Sequence, residues 1–552
     1  NIGNLVQYDF VSYNRSDHYK GFQNALKQIT NRKNWLFNNE AVITHFKTET
    51  HKGYFLRPII DISKKFPKLA NWRIGGRYTL EENNTRSVIT DTLNPLAFSY
   101  DTYTVFVKSD EAKMNKYGLS FYSRKDKYPV GKNFKTGDKS YNLNLQTEIL
   151  SNSKRQFYLN TTFRKLKVID QQISRQKDDN TILGRAEYMM NEWNGFLTGN
   201  ILYEAGSGQE QKREYAYLEV PAGTGQYTWI DYNEDGVQQL NEFELAAFKD
   251  QAKFIRILTP TNEYIKANYT TFNYSINLTP KQLFLKKDKA NKDHFLSKFI
   301  LTSSLQISKK ALARGSFGFN PFSHALNDTN LITLSTTFVN TISFNRQSTV
   351  WGLDFSSIAN NNKALLTYGY ESRKNTDWLL KSRIGVGKTS TFNLNLLTGT
   401  NALNTDNNKF ENKNYEIRKN SIESSFSYVG GTTFRLTGGY KFEKKKNVPL
   451  YGGEKLTAHS LLAESKYNIL QSAALTGKFT YQSLNYKSSK TGQSTVSYIM
   501  MDGLMPGNNF LWNLMLTKRI LNNLELNLIY DGRKSGKSKT IHTGSASITA
   551  IF

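Results

Sequence analysis

The sequence predicts an all-β fold: a large antiparallel transmembrane β-barrel of about 26 strands, with short periplasmic turns and long extracellular loops. Three observations lead there. Apolar and polar residues alternate with period 2 in segments of about ten residues, aromatic side chains crowd the segment ends, and short connections alternate with long ones.

The alternation is plain from Trp72, where Trp72, Ile74, Gly76, Tyr78 and Leu80 share one face and Arg73, Gly75, Arg77, Thr79 and Glu81 the other. Tyr141, Leu143 and Leu145 oppose Asn142, Asn144 and Gln146, and Phe272, Tyr274, Ile276 and Leu278 oppose Thr271, Asn273, Ser275 and Asn277. Near the end Leu524, Leu526, Leu528 and Tyr530 oppose Glu525, Asn527 and Asp531. A half-buried soluble sheet alternates too. Here the segments run to about 9 to 14 residues, against five or six for soluble strands, which suits a tilted membrane strand. Tyr100 with Tyr103, Phe510 with Trp512, and Trp378 stand where a barrel carries its aromatic girdles.

Connection lengths test the same idea, because outer-membrane barrels join strands by short inner turns and longer outer loops in strict alternation. Counted back from a last strand descending to Phe552, short inner turns fall at 521–523, 469–472, 429–432, 387–390, 191–193, 151–154, 110–116 and 65–68. Outer connections fall at 532–539, 486–509, 444–455, 400–413, 170–180, 126–137, 82–98 and, longest of all, 206–265. Residues 494–501 look strand-like, yet they must belong to an outer excursion, since a wall strand there would break the alternation. Residues 299–552 then hold about 14 strands, and 1–298 about 11, beginning with a descending strand over 5–13. An odd sum starts on the wrong side, so at least one strand is expected upstream of Asn1. The segment 16–40, with Phe22, Leu26 and Ile29 at helical spacing behind a Ser16 cap, reads as a short helix or an ordinary loop at the inner rim.

Composition agrees. The 552 residues are too many for one soluble core, and at 38% hydrophobic too polar for a bundle of membrane helices. No window holds 18 apolar residues, and Asn1, Ile2, Gly3 and Asn4 do not open a signal peptide. In a membrane this leaves a closed β-barrel, because every backbone polar group must be paired where water is missing. The absence of cysteine excludes a disulfide framework and a thiolate metal site. The net charge of +27 points to a polyanionic partner. Lysines such as Lys64-Lys65, Lys309-Lys310 and Lys444-Lys445-Lys446 are spread along the chain and read as turn charge, whereas a nucleic-acid footprint would gather them on one face. The expected surroundings are outer-membrane lipid and lipopolysaccharide, with no nucleic acid.

One motif carries chemistry. Asp231-Tyr232-Asn233-Glu234-Asp235-Gly236, with Glu242 at the twelfth position, matches the calcium loop D-x-[DN]-x-[DN]-G-x5-E. Asp231, Asn233 and Asp235 can aim oxygens at one centre, Gly236 permits the bend, Val237 offers its carbonyl, Gln239 binds directly or through water, and Glu242 supplies a bidentate carboxylate. Gln238 stands where a paired sensor has a buried aliphatic, so the expected role of Ca2+ is structural, stapling a long loop whose closure is entropically costly. The following 242–250, with Leu245 and Phe248, reads as a short helix. Gly385-Val386-Gly387-Lys388-Thr389 is not a phosphate loop, because Ser382 occupies the required glycine position. No H-E-x-x-H or G-x-S-x-G motif occurs, so no catalytic residues are expected and the chain reads as a non-enzyme.

The stretches Tyr227-Thr228-Trp229-Ile230-Asp231, Asn241-Glu242-Phe243-Glu244, Thr259-Pro260-Thr261-Asn262-Glu263-Tyr264, the block from Tyr117 to Tyr128, and the ending from Tyr530-Asp531-Gly532-Arg533-Lys534 to Phe552 resemble a large family of outer-membrane β-barrel proteins of Bacteroidota. The resemblance implies the outer membrane of a Gram-negative bacterium and a longer precursor, and brings no catalytic residues with it. The expected role is a structural subunit of an outer-membrane complex, held with other outer-membrane proteins or lipoproteins and serving assembly or export of surface proteins. The alternative is a channel or transporter for a solute, lipopolysaccharide or polypeptide. In either case 1–298 forms the first half of the wall, including the excursion, and 299–552 the second.

Overall fold

The computed structural model describes the chain apart from residues 1–3, 16–18, 175, 285–293, 314–317, 324–329, 367–368, 407, 470–472, 490–491, 522–523 and 551–552. The turns expected at 469–472 and 521–523, and the terminal Phe552, fall wholly or partly outside the described residues.

The first half comprises β1 (Leu5–Asn14), β2 (Lys20–Arg32), β3 (Trp35–Lys47), β4 (His51–Phe66), β5 (Trp72–Ser87), β6 (Phe98–Lys108), β7 (Lys116–Val130), β8 (Asn133–Asn152), β9 (Arg155–Val168), β10 (Asp179–Glu192), β11 (Leu197–Glu219), β12 (Tyr227–Trp229), β13 (Phe243–Leu245) and β14 (Phe254–Leu278). The second comprises β15 (Phe299–Leu312), β16 (Leu331–Phe344), β17 (Trp351–Leu366), β18 (Gly369–Val386), β19 (Ser390–Thr405), β20 (Tyr415–Gly430), β21 (Phe434–Asn447), β22 (Lys455–Ile469), β23 (Ala473–Lys487), β24 (Gly507–Leu521), β25 (Leu524–Ser535) and β26 (Ile541–Ala550). All 26 belong to one antiparallel sheet. Two of them, β12 and β13, form a small hairpin in the outer excursion, so 26 − 2 leaves 24 wall strands, each paired with the next and β11 paired with β14. Among the described residues β1 pairs with β2 and β26 with β25.

The count differs from the sequence reading in both halves. Of the segment 16–40, residues 16–18 lie outside the described residues and 19–40 form no helix: 20–32 and 35–47 are β2 and β3, turning at Lys33 and Asn34, whose φ values of 48° and 69° make the tight hairpin. Phe22 and Leu26, four apart, satisfy a strand's period as well as a helix's, and both are exposed on the sheet's apolar side. In the second half periodic stretches of about ten residues read as too many strands, whereas β18 alone runs for 18 residues and β17, β19 and β20 for 16 each. With 12 strands in each half the wall is even, so β1 ascends rather than descends, and parity no longer asks for a strand before Asn1. Residues 495–500 form a helix within the outer excursion, consistent with keeping them out of the wall.

Register carries the alternation around the sheet. Val105, Phe121, Leu143 and Phe163 lie side by side on β6–β9, all exposed, and Phe355, Leu380, Leu396, Ile422 and Phe442 lie side by side on β17–β21, exposed or half-buried. Trp378 stacks on Phe355 at 5.7 Å within this band. The opposite face holds paired charge: Asp61 meets Arg77 at 2.6 Å and Asp377 meets Lys419 at 2.8 Å. Gly75 is required on that inner face, because a Cβ there would stand 2.5 Å from the Phe106 ring and 2.8 Å from the Ile62 carbonyl. Apolar outward and polar inward is the arrangement a lipid-embedded barrel needs.

Candidate functional site

At the outer ends of β19–β24 the inward positions turn apolar. Leu403, Tyr415, Ile417, Leu456, Ala458 and Leu484 are buried there, on the face opposite the lipid-facing Ile422. They receive the helix of 495–500, which with Met501 and Leu504 supplies Val496 and the fully buried Met500. Ser494 caps the helix, accepting from the Ser497 N–H at 3.1 Å. Burying Val496 and Met500 contributes roughly 1.5–3 kcal/mol each.

A second piece folds onto the first. β11 and β14 stay paired from Leu197–Leu278 to Glu219–Phe254, beyond the wall, and 220–253 then turns back carrying the β12–β13 hairpin. Tyr217 stacks on Phe243 at 4.0 Å and Phe254 meets Phe243 edge-on at 5.1 Å. Beside them Gly225 lies so close to the returning backbone that a Cβ would stand 2.6 Å from Phe254 N and 2.7 Å from Ala252 O. Gly225→Val is therefore expected to cost about 1–3 kcal/mol and speed proteolysis within 220–253 while leaving the heat-resistant wall intact on gels. Wild-type cleavage rates would remove this account of the hairpin root.

Polar pins join the two pieces into a lid over the inner face. Glu244 accepts from Thr495 Oγ1 at 2.9 Å and meets Lys413 Nζ at 3.4 Å, with both charged side chains only 5% exposed. Lys413 also donates to the Phe243 carbonyl at 3.3 Å. The Tyr498 hydroxyl accepts from Ala247 N–H at 2.8 Å and donates to Leu245 O at 3.2 Å. The Arg533 guanidinium pairs with Asp250 and lies 4.0 Å over the Phe248 ring. Lys445 donates to Met500 O at 3.0 Å and to Asp502 at 3.1 Å. Burial beside this cluster pushes the Tyr232 phenol well above its ordinary pKa, with the neighbouring Glu244 charge adding to the effect. Sequence reasoning missed Glu244, Lys413, Asp250 and Arg533, because no spacing links residues 413 and 533 to 244 and 250. The helix expected over 242–250 is instead β13 followed by a short turn at 249–251.

The calcium-type loop crowns this lid. Asp231 accepts from Asp235 N–H at 3.2 Å and Gly236 N–H at 2.8 Å, and Asn233 Oδ1 also accepts from Asp235 N–H at 3.2 Å. Asp235 in turn accepts from Val237 N–H and Gln239 Nε2, both at 2.7 Å. Glu234 and Gly236, with φ of 60° and 72°, make the bend. Five of the six expected ligand positions thus gather in one turn. Glu242 is set apart, buried at 1% exposure and accepting from Trp229 Nε1 at 2.8 Å and Gln239 N–H at 3.2 Å. Among the described residues no three His, Asp or Glu side chains form a ready metal cluster. An oxygen set of Asp231, Asp235, Asn233, Gln239 and the Val237 carbonyl nevertheless has the hard-donor chemistry calcium takes.

No protein-family model matches the chain, and no curated protein does. Among solved structures, the ferric-catecholate import receptor Fiu from E. coli K12 in its open form is 10% identical, with a TM-score of 0.30 over 96% of this chain and 76% of that one. The copper transporter OprC is 9% identical, at 0.33 over 99% and 78%. The siderophore receptor PiuA from Acinetobacter baumannii is 9% identical, at 0.30 over 100% and 80%. Overlaps this slight carry no inference for the chain. Its own wall defines the class: long antiparallel strands with an exposed apolar band and a charged inner face make it an outer-membrane β-barrel protein of a Gram-negative bacterium.

Proposed function

We propose that the chain is a gated conduit of the outer membrane, a channel or transporter whose outer mouth is covered by the lid. One observation carries this reading: the lid is seated on the inner face of the wall through the Glu244–Lys413 pair and the Met500 core, so the chain itself carries a cover over its inner face. A wall of this width encloses space that must be closed or would leak. The structural-subunit reading, which rests on the large wall, the calcium-type excursion and the lack of a catalytic motif, gives such a cover no role. The test is conductance of the purified protein in planar bilayers, with 488–506 replaced by a short Gly-Ser turn. Removal of that segment should produce or enlarge a steady pore. A lid-less barrel that passes no current would overturn the proposal.

The same proposal gives Ca2+ a structural role in the loop of Asp231, Asn233, Asp235, Val237, Gln239 and Glu242. Bound there, the ion would offset the Asp231 and Asp235 charges and hold the tip of 220–253 in the orientation that presents Glu244 to Lys413. Extracellular calcium in the millimolar range saturates even a weak site of this kind.

A further inference from the structure

Lysines spread along the sequence converge on the outside of the wall. By register, Arg418 of β20 stands opposite Lys446 of β21, Lys446 opposite Lys455 of β22, and Lys455 opposite Lys487 of β23. Four cations thus lie in one row across four adjacent strands. All four are exposed, whereas Ile417 and Leu456, next to Arg418 and Lys455 along the chain, are buried on the inner face. Lys444 follows one row further in, and Ile422, Phe442 and His459 the next, so the charges sit directly above the lipid-facing band. A shorter row repeats the arrangement on β7–β9, where Lys125, Lys139 and Lys167 are neighbours and Lys139 Nζ lies 4.6 Å over the Tyr141 ring.

Like charges directly opposite each other across strands are destabilising. Glu416, 3.7 Å from Arg418, is the one acid paired to the longer row among the described residues. With strands about 4.8 Å apart the row spans roughly 14 Å, the scale of a headgroup carrying more than one phosphate. Inward lysines of the same strands are engaged with protein: Lys445 holds the lid and Lys419 pairs with Asp377. The run Lys444-Lys445-Lys446, expected as turn charge, is strand β21, and alternation sends its outer two members toward lipid and its middle member into the lumen.

We propose that Arg418, Lys446, Lys455 and Lys487 bind the phosphates of outer-leaflet lipopolysaccharide, which neutralise the row and fix the height of the wall in the membrane. This rests on the outer-membrane location and not on the conduit reading, so a barrel that passes no current could still bind the lipid through this row. The experiment measures binding of the purified protein to vesicles containing lipid A, with lipid A stripped of its phosphates as the comparison. Lys446→Gln with Lys455→Gln and Lys487→Gln should weaken binding on the order of 10- to 100-fold. Lys388→Gln, at an exposed inner turn, should change it little, and phosphate-free lipid should bind weakly to every variant. Undiminished binding by the triple variant, or equal binding of phosphate-free lipid, overturns the proposal. So does full displacement by millimolar inorganic phosphate, which would mark a free-anion site, or by polyglutamate, which would mark an acidic-protein surface. Should the triple variant fail to give a heat-modifiable barrel, the single Lys446→Gln and Lys455→Gln variants and the wild-type comparison of the two lipids decide.

Discussion

Glu244→Ala is expected to unseat the lid. The substitution strands the Lys413 ammonium in a site where both side chains are 5% exposed, with the Phe243 carbonyl at 3.3 Å its remaining partner among the described residues. It also deprives Thr495 Oγ1 of its acceptor. Removing one partner of a buried pair costs about 3–5 kcal/mol. Even the lower figure shifts the balance between seated and unseated lid by about 100-fold. Single-channel recordings should show openings that are rare in the wild type, and limited proteolysis should cut within 220–253. Glu244→Leu with Lys413→Met removes both charges and should restore much of the closed state, because a buried pair exchanged for apolar groups of similar volume is often neutral. A single variant that neither opens nor becomes protease-sensitive would show that the pair does not hold the cover.

The contrast between wall and lid shows what a sequence exposes. The wall was legible because lipid on one side and water on the other impose a period of 2 on every strand, and Ile74, Tyr103, Phe121 and Leu143 all stand exposed as that period requires. Strand number was less legible, since periodicity marks that a segment is a strand but not where it stops, and β11 and β14 run far past the membrane-sized length. Residues 22, 26 and 29 misled because the spacing of four between Phe22 and Leu26 fits either period, and only Ile29 breaks the strand's. The lid was illegible for a different reason: its stability comes from pairs such as Glu244–Lys413 and Asp250–Arg533, residues 169 (413 − 244) and 283 positions apart, which meet only when 220–253 folds back onto the wall. The calcium-type loop sits between these cases. Its spacing announces five local positions, but Glu242, whose place in the motif is metal ligation, is buried against Trp229.

That divided duty makes the loop testable in a way that separates metal from packing. Among the described residues Asp231 bonds within the loop, to the Asp235 and Gly236 amides, whereas Glu242 is a buried acceptor for the Trp229 indole and the Gln239 amide. In chelator, Asp231→Ala should therefore resist protease within 220–253 almost as well as the wild type. Glu242→Ala should already be labile, because leaving buried donors unpaired costs about 1–3 kcal/mol each. Adding calcium should protect the wild type, by about 1.4 kcal/mol at ten times the dissociation constant, and protect neither variant. The order of events matters as much as the magnitudes. If Glu242 turns from Trp229 to the ion on binding, the Trp229 environment changes, and its fluorescence should shift with calcium in the wild type and not in Asp231→Ala. Calcium protection that persists in Asp231→Ala would place the ion elsewhere. A chelator-treated wild type as resistant as the calcium-loaded one would leave the loop a polar turn and the lid's order to its Glu244, Arg533 and Met500 contacts alone.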